Sequence, residues 1–181
     1  MIPKKLIAKV SQKNELTEAV WQIRLEFGIP VSLKAGQYVS IKVTSEGMRR
    51  SYSVAGIGET WVDLIVDVTP MGVGSIYLLG VNVGDEMEMI GFLGSFVVEP
   101  VSYEKENVLF VATGTGIAPF YPMVEEMLVK GYKGKINLWW GMRYEKDLYW
   151  WKKLEEIKTK NSNFDYEIVL SRPDERWQGK K

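Results

Sequence analysis

Asn107-Val108-Leu109-Phe110-Val111-Ala112, followed by Thr113-Gly114-Thr115-Gly116 and then by Pro119, is the stretch that decides how this chain folds. The first six residues are nearly all apolar, which predicts a strand buried on both faces of a parallel sheet. The next four make a glycine-rich turn. Residues 119–130 then place Met123, Val124, Met127 and Leu128 on one helical stripe, with Pro119 in the first turn, where its missing N–H is not needed. Further along, residues 136–140 read as a second strand and residues 147–160 as a second helix with Leu148, Trp151, Leu154 and Ile157 on one face. Residues 166–170 read as a third strand. The sum is βαβαβ, half of a doubly wound nucleotide-binding domain.

Upstream the texture differs. Trp21-Gln22-Ile23-Arg24-Leu25-Glu26-Phe27 alternates strictly, which puts one face in a core and the other in water. Residues 39–44, 62–68 and 87–89 repeat the pattern, and turn signals separate them at Gly28 with Pro30, Ala35-Gly36, Ser45-Glu46-Gly47 and Gly84-Asp85. Short strands at this spacing predict an antiparallel barrel or sandwich, with one short helix near residues 75–79. The domains are expected at residues 1–100 and 101–181.

Composition bounds the chemistry. Of 181 residues, 46% are hydrophobic and 25% charged, the mix of a globular protein with a real core. Lys plus Arg balances Asp plus Glu at 23 each, which offers no electrostatic case for nucleic acid or an anionic membrane. Cysteine and histidine are both absent, so disulfides, Cys-ligated zinc or iron–sulfur clusters, Cys nucleophiles and imidazole triads are excluded within these residues. No metal site is expected. The start, Met1-Ile2-Pro3-Lys4-Lys5, leads into alternation rather than a secretory apolar core, so a cytoplasmic protein without membrane insertion is expected. Redox work by such a chain requires a bound cofactor.

Three short patterns offer one. Arg50-Ser51-Tyr52-Ser53 combines a guanidinium fork for phosphate, a flat ring for stacking and a hydroxyl for a ring nitrogen; an ordinary edge strand with an exposed Arg reads the same way. Gly72-Val73-Gly74-Ser75 precedes the short helix and suits phosphate at a helix start, although Ser75 serves equally as an N-cap. Gly114-Thr115-Gly116 between a strand and a helix suits a dinucleotide, yet the third glycine of the usual fingerprint is replaced by the approach to Pro119. Tryptophans 139, 140, 150 and 151 read as packing residues, and Glu125-Glu126 and Glu155-Glu156 as solvated helix faces.

In order along the chain, Gly36-Gln37-Tyr38-Val39, Arg50-Ser51-Tyr52-Ser53, Gly72-Val73-Gly74-Ser75, Val83-Gly84-Asp85, Gly94-Ser95-Phe96, Thr113-Gly114-Thr115-Gly116-Ile117-Ala118-Pro119, Gly141-Met142-Arg143 and Ser171-Arg172-Pro173 resemble the ferredoxin–NADP⁺ reductase-like superfamily of flavoprotein oxidoreductases. The resemblance implies a Greek-key flavin-binding β-barrel followed by an α/β pyridine-nucleotide domain. It implies FAD (FMN as the alternative) and NAD(P)H as co-substrate. By position, Arg50 would hold the flavin phosphate with Ser51 beside it, Tyr52 would stack on the ring, and Ser53 would bond flavin N5 as the one catalytic residue. The backbone of Val66, Asp67 and Val68 would line the flavin, and Gly72, Val73, Gly74 and Ser75 would take its phosphates. Thr113, Gly114, Thr115, Gly116 and Pro119 would receive the nicotinamide nucleotide, with Arg143, Ser171 and Arg172 toward its adenosine. An electron-acceptor protein, ferredoxin-like or an oxygenase component, is the implied partner. The family's Trp-x-Gly-x-x-Gly-x-Val stretch breaks off after Trp177-Gln178-Gly179-Lys180-Lys181, so a missing C-terminal half or a partner chain is expected to cover the first strand of the second domain. The alternative function is a non-catalytic flavin-binding or docking subunit; a plain barrel without cofactor is a third.

Overall fold

The computed structural model describes residues 4–69 and 71–180; the first three residues and Lys181, used above in reading the chain's start and end, lie outside them. Six antiparallel strands close into a barrel: β1 (Lys4–Glu15), β2 (Val20–Glu26), β3 (Tyr38–Lys42), β4 (Arg49–Ile57), β5 (Trp61–Asp67) and β6 (Glu86–Leu93). Neighbours around it run β1-β2-β5-β4-β3-β6, with β6 pairing back onto β1. The alternation read from sequence fills the interior: Ile23, Leu25, Val39, Ile41, Val54, Leu64, Met87 and Met89 are all fully buried. Helix α1 (Val73–Gly80) packs at the barrel through Leu78. Lys13 of β1 holds the far end of α1, its Nζ donating to the Leu79 and Val81 carbonyls at 2.5 and 2.8 Å.

The polar face of β2 departs from the sequence expectation: it is not simply in water. Arg24 lies directly across from Asp63 of β5 and forks onto both of its carboxylate oxygens at 2.7 and 2.8 Å, while Gln22 Nε2 donates to the same carboxylate at 2.8 Å. The Trp61 ring covers the guanidinium at 3.5 Å. Burial of this kind survives only because every partner is satisfied. Asp63→Ala removes the acceptor and leaves three N–H donors, two from Arg24 and one from Gln22, facing a carboxylate-sized void. The expected loss is about 2–3 kcal/mol of unfolding free energy in denaturant titration of the flavin-free chain.

The second domain is a parallel sheet of β7 (Asn107–Thr113), β8 (Lys135–Met142) and β9 (Phe164–Leu170) in the order β7-β8-β9. Helices α2 (Phe120–Val129) and α3 (Trp151–Lys160) pack on one face, over Phe110, Ala112, Ile136, Leu138 and Trp140. The expectation that β7 is buried on both faces fails. Leu109 and Val111 are 53% and 59% exposed, and Trp139 beside Val111 is 45% exposed. Both crossovers lay their helices on the same side, so among the described residues no layer covers the other. Packing accounts for Trp140 and Trp150, which are buried, but not for Trp139 and Trp151, which are largely exposed.

Two further expectations shift. Helix α3 begins at Trp151 rather than near Asp147, because the chain makes a 3₁₀ turn at Glu145–Asp147 and then runs through Leu148 to Trp150 outside the helix. Glu126 is not merely solvated. It accepts the Ala35 N–H of the barrel at 3.2 Å and pairs with Lys130, tying α2 across the domain seam. Val20, Ala35, Ala55 and Ile65 from the barrel share one apolar cluster with Ile117, Met123, Val124 and Met127. Among the described residues no helix is long and apolar enough to cross a membrane.

Candidate cofactor site

The carboxyl ends of three parallel strands are where an open α/β sheet places its ligand crevice. Here those ends face the barrel across a cleft of about 840 Å³. Thr113, Gly114 and Thr115 follow β7 into it, Gly141, Met142 and Arg143 come from the end of β8, and Leu170 and Ser171 from the end of β9. The barrel contributes residues 17–20, Asp67 and Thr69. Cross-strand pairing of Val20 with Asp67 explains that pairing of segments far apart in sequence. Gly114 adopts φ +51°, a left-handed turn that suits glycine, whereas Gly116 has open space around it and an ordinary backbone. Past the strand ends the backbone stays paired: Ser171 N donates to Met142 O and Arg172 N to Arg143 O, at 3.0 and 2.9 Å. The Arg172 guanidinium turns to the Tyr144 hydroxyl at 3.1 Å.

A second group adjoins the cleft. Arg50 and Tyr52, alternate residues of β4, project on one side of the strand and meet the start of α1. A Cβ on Gly74 would overlap the Tyr52 hydroxyl and come within 2.9 Å of Arg50 Cγ. Burial pushes the Tyr52 phenol up, and the neighbouring Arg50 charge pulls it partly back. Among the described residues Arg50 makes no ion pair; its Nη1 reaches only the Arg49 carbonyl, at 2.9 Å. The N-cap of α1 is Gly72, not Ser75, and among the described residues no side chain caps the helix and no acidic residue lies in its first turn. A helix start of this kind presents free amides and a partial positive charge. Ser75 instead donates its hydroxyl to Asp67 O at 3.2 Å, and the Asp67 carboxylate accepts Thr69 N and Oγ1 at 2.8 and 2.6 Å. Asp67 therefore joins the α1 group to the cleft.

The other sequence candidates are placed less directly. Ser53 lies opposite Tyr38 and, by strand alternation, on the other side of β4 from Arg50 and Tyr52; Ser51 is exposed. Val66 and Val68 bury their side chains in the barrel core, leaving only backbone for a ligand. Val73 and Gly116 are exposed, and Pro119 is the N-cap of α2. Sequence reasoning missed residues 17–20, Thr69, Tyr144, Lys146 and Tyr149 in the cleft wall. The first of these carried no motif, and Tyr149 was hidden in a stretch read as helix.

A guanidinium and helix-start amides that, among the described residues, have no ionic partner and no side-chain cap lie in contact with an aromatic ring, and the residues present fit a planar coenzyme bearing phosphate, such as a flavin nucleotide. Comparison with known proteins agrees. Residues 7–98 match the family model of the oxidoreductase FAD-binding domain, and residues 110–181 that of the oxidoreductase NAD-binding domain. The chain belongs to the ferredoxin–NADP⁺ reductase-like superfamily of flavoprotein oxidoreductases. It is 28% identical over 179 residues to the toluate 1,2-dioxygenase electron transfer component of Pseudomonas putida, covering 96% of this chain and 52% of that one. It is 33% identical over 152 residues to ferredoxin–NADP reductase B of Sorangium cellulosum, covering 82% and 62% respectively. The crystal structure of the Amycolatopsis cytochrome P450 reductase GcoB superposes with a TM-score of 0.88 at 28% identity, over 98% of this chain and 55% of GcoB. The chain thus spans between about half and five-eighths of the length of these relatives.

Proposed function

We propose that this chain binds FAD in the barrel, accepts hydride from NAD(P)H bound at the cleft, and passes electrons to an acceptor protein. The observation that carries the reading is the convergence of Arg50, Tyr52 and Gly74 at the uncapped start of α1, joined through Asp67 to the crevice at the strand ends. Bound FAD supplies hydride acceptance and release of electrons singly or in pairs. The chain's own residues bind and orient. Arg50 and the first-turn amides of α1 would neutralise the coenzyme phosphates, and Tyr52 would stack on its ring. Ser53, on the other side of β4 from Tyr52, is the proposed hydrogen-bond partner of flavin N5 at the edge of the ring, not its face. Thr113, Gly114 and Thr115 would seat the nicotinamide nucleotide, with Arg143, Ser171 and Arg172 toward its adenosine. The names of the Pseudomonas and Amycolatopsis relatives, an electron transfer component and a reductase, support an oxygenase-type acceptor.

The test is anaerobic. The purified chain, reconstituted with FAD, is expected to be yellow and to lose its yellow band when NADH or NADPH is added. A chain that retains no flavin after incubation with FAD or FMN overturns the reading. A chain that holds FAD but is reduced by neither nucleotide supports the alternative of a flavin-binding subunit that needs a partner for nicotinamide chemistry.

A further inference from the structure

Two aromatic donors meet on one carbonyl of the cleft loop. Trp140 Nε1 donates to Gly114 O at 2.9 Å, and the Tyr149 hydroxyl donates to the same oxygen at 3.1 Å. The donors come from different parts of the fold. Trp140 is fully buried on β8, and Tyr149 belongs to the non-helical stretch ahead of α3. Their rings pack edge to face with centroids 4.9 Å apart, and Trp150 continues the cluster at 5.7 Å from Tyr149. A loop carbonyl needs one partner to be satisfied, so two converging side chains point to control of orientation. Gly114 is the left-handed residue at which β7 turns into the cleft. Because its peptide is trans, fixing the Gly114 carbonyl on the aromatic pair aims the Thr115 N–H the opposite way. Burial pushes the Tyr149 phenol up, with the charge of Asp67 adding to the effect, so its hydroxyl remains a proton donor through the neutral range.

We propose that Trp140 and Tyr149 are positioning residues for the pyridine dinucleotide, holding residues 113–117 in the shape that receives it. The proposal rests on the reading of the cleft as the dinucleotide site. It also explains why α3 starts late: residues 148–150 leave the helix, which lets Tyr149 reach Gly114.

Tyr149→Phe removes the hydroxyl and keeps the ring. In the FAD-loaded chain, calorimetric titration with NAD⁺ and NADP⁺ is expected to show about fivefold weaker binding of whichever nucleotide the unaltered chain prefers. FAD affinity and kcat at saturating nucleotide are expected to stay unchanged, with KM rising alone. Trp140→Phe is expected to move nucleotide affinity the same way, and amide exchange over residues 113–118 is expected to quicken in both variants. Nucleotide affinity unchanged in Tyr149→Phe, with FAD and nucleotide binding intact in the parent, overturns the proposal and leaves the functional reading standing. A parent chain that binds FAD but neither nucleotide overturns both.

Discussion

Arg50→Ala is expected to purify colourless and to bind FAD about 10- to 100-fold more weakly than the parent chain, with its unfolding midpoint unchanged in the absence of flavin. Arg50 is an exposed side chain without an ionic partner among the described residues, so its removal disturbs no internal pair. What it takes away is a charge-assisted bond to phosphate, worth about 1.5–3 kcal/mol. Flavin fluorescence quenching gives the dissociation constant directly. Arg50→Lys tests the geometry: an ammonium keeps the charge but not the fork, so partial recovery is expected. An Arg50→Ala chain that remains yellow at parental affinity would place the phosphate elsewhere.

Gly36→Ala is expected to be the most disruptive single-methyl change in the barrel, lowering stability by about 3–5 kcal/mol in denaturant titration. Gly36 sits at φ +96°, and a Cβ there would overlap the Phe96 backbone carbonyl oxygen and the Met123 terminal methyl. The methionine can swing away. The carbonyl cannot, because it belongs to the backbone leading out of β6. The next residue back, Ala35, is the one whose N–H is held by Glu126, so the clash falls on the seam between the domains. Gly28→Ala is the control: its φ is +67° but a Cβ there would meet no described atom within 4 Å, and only about 1 kcal/mol of backbone strain is expected. Equal losses at the two positions would mean that backbone strain, not the seam, decides.

Most of the barrel was legible because its inward residues obey a period of two, as Ile23 and Leu25 show, and such a pattern leaves one choice of core face. The polar side of the same strand misled, since no local rule reveals that Asp63, 39 residues on, lies opposite Arg24. In the second domain the apolar run of β7 was read as doubly buried from its composition. Composition alone cannot report whether a covering layer exists, and among the described residues Leu109 and Val111 have none. The glycine turn at residue 114 was visible; the two rings that hold it were not, because Tyr149 and Trp140 meet only after both crossovers are complete. The motif residues Arg50, Tyr52 and Gly74 do converge, while Ser53 faces away from them by the same alternation that made its strand readable.

The apolar cluster shared by Val20, Ala35, Ala55 and Ile65 with Met123, Val124 and Met127 has a mechanical corollary. Prising the two halves apart would wet those side chains at about 1.5–3 kcal/mol for each of the larger ones, an outlay comparable to the whole stability of a typical domain. A wide clamshell opening at this seam would therefore carry a free-energy cost that grows with every apolar side chain it wets. The cleft between barrel and sheet is thus expected to stand largely formed before any ligand arrives, its width set by the seam and not by the occupant.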